Sequence, residues 1–378
     1  MTQTIEVIIP VHDPVRPLDR ALRSVLAQRT ELTELGVELR VTVVCHNIAI
    51  QEISGTLPPL LVMDDAVTWL QCTDGTKSPA GPRNAALEAS SATYLCFLDS
   101  DDYLEQRSLS GWWKVAQEHH AAAVIAPLRT PEGLILRSPR IRPNKPAMLD
   151  PLKDGLAYRS VPYGLLRLSA LHDCGFRYAD GISIGEDLET TLKLWFRGGP
   201  IVYPYGAPAY HQTDDSGSDR VTSSVRPLAD EFRWLGALVH APWLLDATLA
   251  ERRSIALKLM RVHGIGALLR RGAGTNGAIS GLWSPSEQDS WATIRSQLLA
   301  LAGGALPALS HRDAALALAA AKAQNDDQMR AAVARHSQAG RLAELLPNSP
   351  LAVLSPDSVL RHYVNERLRT NSALFDLR

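Results

Sequence analysis

Three apolar runs rich in β-branched residues, IEVIIPV at 5–11, LRVTVVC at 39–45 and ATYLCFLD at 92–99, alternate along the chain with stretches of helical spacing. Each run predicts a buried strand. Between the first two, Leu18, Leu22, Val25 and Leu26 recur at helical intervals in LDRALRSVLAQ. Between the second and third, GPRNAALEASS carries Ala85, Ala86 and Ala89 in a short helical stretch. Strand, helix, strand, helix, strand is the pattern of a parallel sheet flanked by helices. Ligands of such sheets sit beyond the carboxyl ends of the strands, so the residues that end each run are the first to inspect for chemistry.

The pattern continues past Asp102 with a predicted helix over SLSGWWKVAQEHH and a strand over AAAVIAPL. Five prolines between Arg137 and Pro162 then predict a loop crossing the sheet. YGLLRLSALHDCGF predicts a strand and a turn. EDLETTLKLWFRGG predicts an amphipathic helix through Leu188, Leu192 and Trp195, and VYPYGAPAYHQTDDSGS a strand followed by a polar loop.

From about Arg226 the composition shifts to Ala, Leu and Arg with helical periodicity; Leu228, Phe232, Leu235 and Val239 fall on one face. Ser284-Pro285-Ser286-Glu287 offers an N-cap, a proline at the first helical position and a capping-box Glu. Ser310 and Asp313 repeat that spacing. The alanine tract AALALAAAKA reads as helix packing. A length of 378 residues leads to the expectation of two domains, each burying its own core: an α/β catalytic domain over 1–225 and a helical accessory domain over 226–378.

Lys plus Arg total 39 against 40 Asp plus Glu, a formal net charge of -1, so no whole-chain field draws nucleic acid or an anionic membrane. The opening MTQTIEVIIPV lacks a basic stretch and its apolar run is short for a signal peptide. No stretch reaches the roughly 18 apolar residues of a membrane span. A soluble cytoplasmic protein is expected, with peripheral association at the inner membrane face compatible with it. The four cysteines, Cys45, Cys72, Cys96 and Cys174, are far apart, and two sit inside apolar runs where a reduced cysteine packs as a small hydrophobe.

The chemistry concentrates in FLDSDD, where an apolar strand ends on Asp99, Asp101 and Asp102. Three carboxylates at one strand end repel one another, and a divalent cation relieves the repulsion. Hard oxygen ligands suit Mg²⁺ or Mn²⁺ bridging a diphosphate. The alternative is a solvated acidic turn that caps the next helix. Upstream, GPRN offers Arg83 to a phosphate and Asn84 to fix a loop by side-chain bonds to backbone. Downstream, GEDLETTLKLW places Glu186 and Asp187 at a helix start, where the dipole favours the ionised carboxylate.

In this order the motifs resemble the family 2 inverting glycosyltransferases of the GT-A fold. IIPVHDPVRPLDRALRSVLAQ resembles the opening strand and helix, GPRNAALEASSATYLCFLDSDDYL the helix and metal-site strand, and GEDLETTLKLWFRGG the catalytic-base helix. The resemblance implies a GT-A type, mostly parallel sheet flanked by helices, followed here by a mainly α-helical C-terminal domain. It implies that Pro10, His12 and Asp13 approach the nucleobase, that Arg83 lies near the nucleotide and that Asp99 leans toward ribose or metal. Asp101 would be the main ligand of Mn²⁺ or Mg²⁺, with His211 a further metal or phosphate contact, and Asp187 the base, with Glu186 orienting the loop or acceptor.

Two departures qualify it. Where the family shows acidic residues after its second strand, this chain has Cys45-His46-Asn47, so Asn47 becomes the candidate to read a base edge through its amide, and a UDP donor is favoured by family habit alone. The Q-x-x-R-W motif of processive synthases is echoed only by Asp230-Glu231-Phe232-Arg233-Trp234, which reads as helix packing and favours a non-processive enzyme. The expected reaction moves a sugar from a nucleotide diphosphate donor to a glycan, lipid-linked or other hydroxyl acceptor with inversion, in cell-surface glycan or polysaccharide synthesis. Association of copies through the C-terminal domain is a further expectation. The rivals are a nucleotidyltransferase, which would open with the Gly-rich loop that PVHDPVRP lacks, and a catalytically silent nucleotide-sugar-binding scaffold. No G-x-G-x-x-G supports a dinucleotide oxidoreductase.

Overall fold

The computed structural model describes residues 3–370, apart from 137, 144, 146, 215–224 and 274–281. Ten strands are described: β1 (Gln3–Val11), β2 (Val37–His46), β3 (Val67–Cys72), β4 (Tyr94–Phe97), β5 (Tyr103–Leu104), β6 (Ala123–Ile125), β7 (Leu128–Arg129), β8 (Gly164–Arg167), β9 (Ile201–Val202) and β10 (Tyr210–His211). Seven form one sheet in the order β3-β2-β1-β4-β8-β6-β9. The pairs among β3, β2, β1 and β4 are parallel, β8 runs antiparallel to both neighbours, and β6 pairs β9 in parallel. The other three form a small sheet, β5-β10-β7, beside the carboxyl end of β4.

The three apolar runs are β1, β2 and β4, as their composition predicts. The sheet is buried on both faces, and the two-residue period divides each central strand between them. In β1, Ile5, Val7 and Ile9 belong to one cluster and Ile8 to the other. In β4, Tyr94 and Cys96 face the first and Leu95 and Phe97 the second. The helices Leu18–Leu26 and Ser108–Glu118 cover the first face; Ala80–Ala89 and Leu188–Arg197 cover the second. All four cysteines are free, and burial pushes the Cys45 and Cys96 thiols up to about 11 and about 12.

Local readings differ in three places. VYPYGAPAYH is two short strands, β9 and β10, in different sheets. The turn after β8 is a short helix, Leu168–Asp173. The face through Leu228, Phe232 and Leu235 spans two helices, Leu228–Glu231 and Arg233–Val239, which join at Phe232. The polar residues from 215 onward in DDSGS lie outside the described residues.

Beyond Pro227 the described elements are helices. Ser284 and Ser310 cap theirs as expected, accepting from the backbone N–H of Glu287 and Asp313. The alanine tract packs through Leu316, Ala317 and Ala320, and the Trp291 indole donates to the Ala317 carbonyl at 3.0 Å. This half does not keep its core to itself. Phe97, Leu192 and Trp195 of the α/β half join Leu228, Trp234, Ile255, Leu268 and Trp291 in one continuous apolar cluster. Among the described residues no helix is long and apolar enough to cross a membrane.

Candidate active site

β4 delivers its three acids to different fates. Asp102 is buried: Tyr210 Oη donates to it at 2.9 Å and the Thr213 N–H at 2.8 Å. Burial, then the charge of Asp99, pushes its carboxyl up to about 8. Asp99 and Asp101 stay partly exposed. Asp101 accepts from Arg16 of the loop after β1, while its carbonyl accepts from Arg20 and from Thr213 Oγ1, the latter at 2.6 Å. Asp99 accepts from Tyr163 Oη, and its N–H donates to Tyr210 Oη at 3.0 Å. Those two tyrosine rings stack 4.3 Å apart, forming a wall behind the acids.

The helix Ala80–Ala89 supplies the link to the second acidic motif. Arg83 is buried, with one guanidinium nitrogen 2.8 Å from Asp99 and another 3.3 Å from Glu186, and its cation lies 5.3 Å from the Tyr178 ring centroid. Desolvation alone would lower its pKa; Asp99 and its other neighbours raise it far above the ordinary value, so the charge is permanent. Asn84, one residue on, fixes the loop before Glu186 as its sequence position predicts. It donates to the Tyr178 carbonyl at 3.0 Å and accepts from the Tyr178 N–H at 2.9 Å.

Glu186 and Asp187 diverge as two successive residues at a helix start must. Glu186 turns inward to Arg83 and is buried. Asp187 occupies the N-cap position of Leu188–Arg197, makes no cap hydrogen bond with its side chain and remains partly exposed. The helix terminus alone would favour its ionised form, but burial, reinforced by Glu186, outweighs that and pushes its carboxyl up to about 7. A carboxylate poised near neutrality is suited to proton transfer.

The other expected site residues divide. Pro10 ends β1, and His12 beyond it is exposed and feels the charges of Arg16, Asp13 and Asp101. Asp13 turns back on its own loop, accepting from the Val15 N–H at 2.9 Å. Asn47 has a positive φ of 57°, and its amide is taken up by the facing loop: it accepts from the Asp74 and Gly75 N–H groups at 3.1 and 3.0 Å and donates to the Thr76 carbonyl at 2.7 Å. In this arrangement Asn47 shapes the rim rather than offering its amide to a base. His211, in β10, stacks on Tyr103 at 4.5 Å and takes a hydrogen bond of 3.0 Å from or to its hydroxyl, with Glu105 3.9 Å away.

Asp99, Asp101 and His211 therefore do not form a ready-made cage. Among the described residues, the three side chains close enough together to share an ion are instead His46, Cys72 and Asp74. There the imidazole of His46 already meets Asp74 at 2.8 Å. The donor set at the end of β4 nonetheless suits a hard divalent cation. Two partly exposed carboxylates stand beside a third whose carboxyl is pushed up to about 8 by burial and then by their charge.

Sequence comparison aligns residues 6–175 with the model of Glycosyl transferase family 2. Over that stretch, just under half of its length, the chain is similar to family 2 glycosyltransferases. Residues of the chain are 24% identical over 185 positions to the poly(ribitol-phosphate) beta-N-acetylglucosaminyltransferase TarS of Staphylococcus aureus, covering 49% of this chain and 31% of that one. They are 23% identical over 197 positions to a poly(ribitol-phosphate) beta-glucosyltransferase of Bacillus spizizenii, covering 52% and 30%. The alignments thus span about a third of these relatives. In structure, the crystal structure of S. aureus TarS residues 1–349 with UDP-GlcNAc matches with a TM-score of 0.69 at 17% identity, covering 89% of this chain and 92% of that one. The fold is GT-A, and the similarity extends well past residue 225 into the helices.

Sequence reasoning missed the residues that support the acids: Tyr163, Tyr210, Arg16, and Trp234. A Cβ added to Gly185, next to Glu186, would lie 2.7 Å from Trp234 Cδ1, so Trp234, read as plain helix packing, abuts the loop that leads to Glu186 and Asp187. Gly185 itself has a φ of +79°, a conformation glycine adopts without penalty.

Proposed function

We propose that the protein is an inverting glycosyltransferase that moves a sugar from a nucleotide diphosphate donor, UDP-linked in preference, to an acceptor hydroxyl in cell-surface glycan synthesis. One observation carries the reading: Arg83 ties the carboxylate end of β4 to the Glu186-Asp187 motif, setting a donor-phosphate end and a proton-accepting end on one rigid frame. The relatives that act on poly(ribitol phosphate) and the UDP-GlcNAc complex of TarS support a UDP-sugar and a polyol-phosphate acceptor.

Asp187 takes the proton of the acceptor hydroxyl while that oxygen attacks the anomeric carbon, and the diphosphate departs from the opposite face in a single displacement. The C–O bond to the acceptor forms as the C–O bond to phosphate breaks, so the configuration inverts. Glu186, held by Arg83, does not compete for that proton. Asp101, with Asp99, would hold Mn²⁺ or Mg²⁺, which when bound would supply positive charge to offset that of the leaving diphosphate. Tyr163 holds the carboxylate of Asp99, and Tyr210 its backbone N–H.

The test is incubation with UDP-GlcNAc or UDP-glucose, Mn²⁺ and poly(ribitol phosphate), following UDP release and the product anomer by NMR. Release of UDP with a β-linked product from an α-linked donor supports the reading; pyrophosphate release, or retention of configuration, overturns it.

A further inference from the structure

Lys258 has no exposed surface, unusual for a lysine without a bonded acid. It ends the helix Leu249–Lys258, and the chain continues as a π-helical turn, Leu259–Gly264, before resuming α-helix at Ile265. In a regular α-helix residues five apart diverge by roughly 140° around the axis. The wider π-turn brings them back together, and Lys258 Nζ lies 2.9 Å from His263 Nε2. Burial, then the charges of Lys258 and Arg270, holds His263 far below the ordinary histidine range, so its neutral ring accepts from the ammonium.

This pair points toward the catalytic loop. The His263 ring lies 5.4 Å from that of Trp234, and Trp234 is the side chain pressed against Gly185, two residues before Asp187. Among the described residues, the acid whose charge Lys258 feels is Asp187; burial pulls the ammonium down to about 7 and Asp187 acts against that. Among the described residues, Asp187 feels the charges of Glu186, Arg83 and Lys258, and Tyr178 feels that of Asp187; of these groups Lys258 comes from the helical half.

We propose that Lys258, seated on His263 by the π-turn, is a positioning residue for the reaction: the buried counter-charge with which the helical half holds the carboxylate of Asp187. The proposal rests on the reading of Asp187 as the base. It gives the helical half a direct part in catalysis besides packing. A cation behind the carboxylate favours its ionised form, so the base works at lower pH than it would with an apolar neighbour.

The test compares the pH dependence of UDP release from UDP-GlcNAc in the full chain and in Lys258→Met, which keeps the length of the side chain and removes its charge. Glu186 and Arg83 are unchanged between the two, so a difference isolates Lys258. The midpoint of the acidic limb should move up by about one unit, a roughly tenfold loss of rate below it, while UDP affinity stays near that of the parent. Should Lys258→Met not fold, His263→Leu takes its place: loss of the acceptor should move the limb the same way, and His263→Gln, which keeps an acceptor, should restore it. A folded Lys258→Met, or a His263→Leu, with the parental limb overturns the proposal. Asp187→Asn separates the two readings: full turnover in it removes the base assignment and this inference together, whereas loss of turnover in it alongside an unmoved Lys258→Met limb removes only the role of Lys258.

Discussion

Arg83 and Glu186 meet at 3.3 Å although 103 residues separate them in sequence, and both are buried. The pair, with Asp99 on the same guanidinium, fixes the distance between the two acidic motifs. Removing one partner of a buried ion pair leaves the other uncompensated and typically costs about 3–5 kcal/mol. Arg83→Met should therefore lower unfolding stability in urea by that order and also weaken turnover. Stability within about 0.5 kcal/mol of the parent would show that the acids are held by something else.

Asp187→Asn should reduce turnover by about 10² to 10⁴ with donor affinity nearly unchanged, because a general base acts in the transition state. In the parent, turnover should rise with pH through about 7, where Asp187 ionises, and level off above. Stability runs the other way. A carboxyl raised from 3.8 to about 7 binds its proton more tightly in the folded chain, so its contribution is full below 3.8 and is lost as pH rises through about 7. A flat rate profile between pH 6 and 8 is the contrary result.

Gly185→Ala would place a Cβ 2.7 Å from Trp234 at a φ of +79°. Backbone strain and overpacking together should cost roughly 2 kcal/mol or more. Adding Trp234→Leu should recover the packing part and leave the backbone part, a non-additivity that a double-mutant cycle reads directly. Additive effects would mean that loop and aromatic ring do not press on each other in solution.

Asp101→Asn keeps the shape of the strand end and removes one charge. Calorimetric titration with UDP should show a gain in affinity from Mn²⁺ in the parent that is lost in the variant, while affinity without metal changes little. An undiminished Mn²⁺ effect would exclude Asp101 as its ligand.

A chain cut after Val225 should fail to fold, since Leu192 and Trp195 share their cluster with Ile255, Leu268 and Trp291. Each large side chain uncovered forfeits about 1.5–3 kcal/mol of burial. Sharp thermal unfolding with donor binding in the short chain would contradict the shared core.

The acids were legible in the sequence because each interrupts an apolar stretch: Asp99 and Asp101 close a strand, and Glu186 and Asp187 open a helix. β3 was not, for its strand is partly exposed along its length and leaves only a weak pattern. Asn47 was assigned a free amide because sequence shows the donor and acceptor groups of a side chain but not the backbone that will claim them. Lys258 sits in IALKLM as any helix-surface cation would. Only the widened turn after it, which no local composition announces, swings it inward, and the helical spacing used to read that half assumes the regular turn that the chain abandons there.

The apolar cluster that runs from Phe97 to Trp291 also sets how the molecule breathes. Because Leu192 and Trp195 are packed on the same residues as Ile255 and Leu268, opening that exposes the helices also loosens the helix that presents Asp187. A donor seated at the strand ends binds only the closed form and so stabilises it by mass action. Amide hydrogens in Leu249–Lys258 and Pro285–Leu301, in the half that lacks the β4 acids, should then exchange more slowly with bulk deuterium whenever the nucleotide is present.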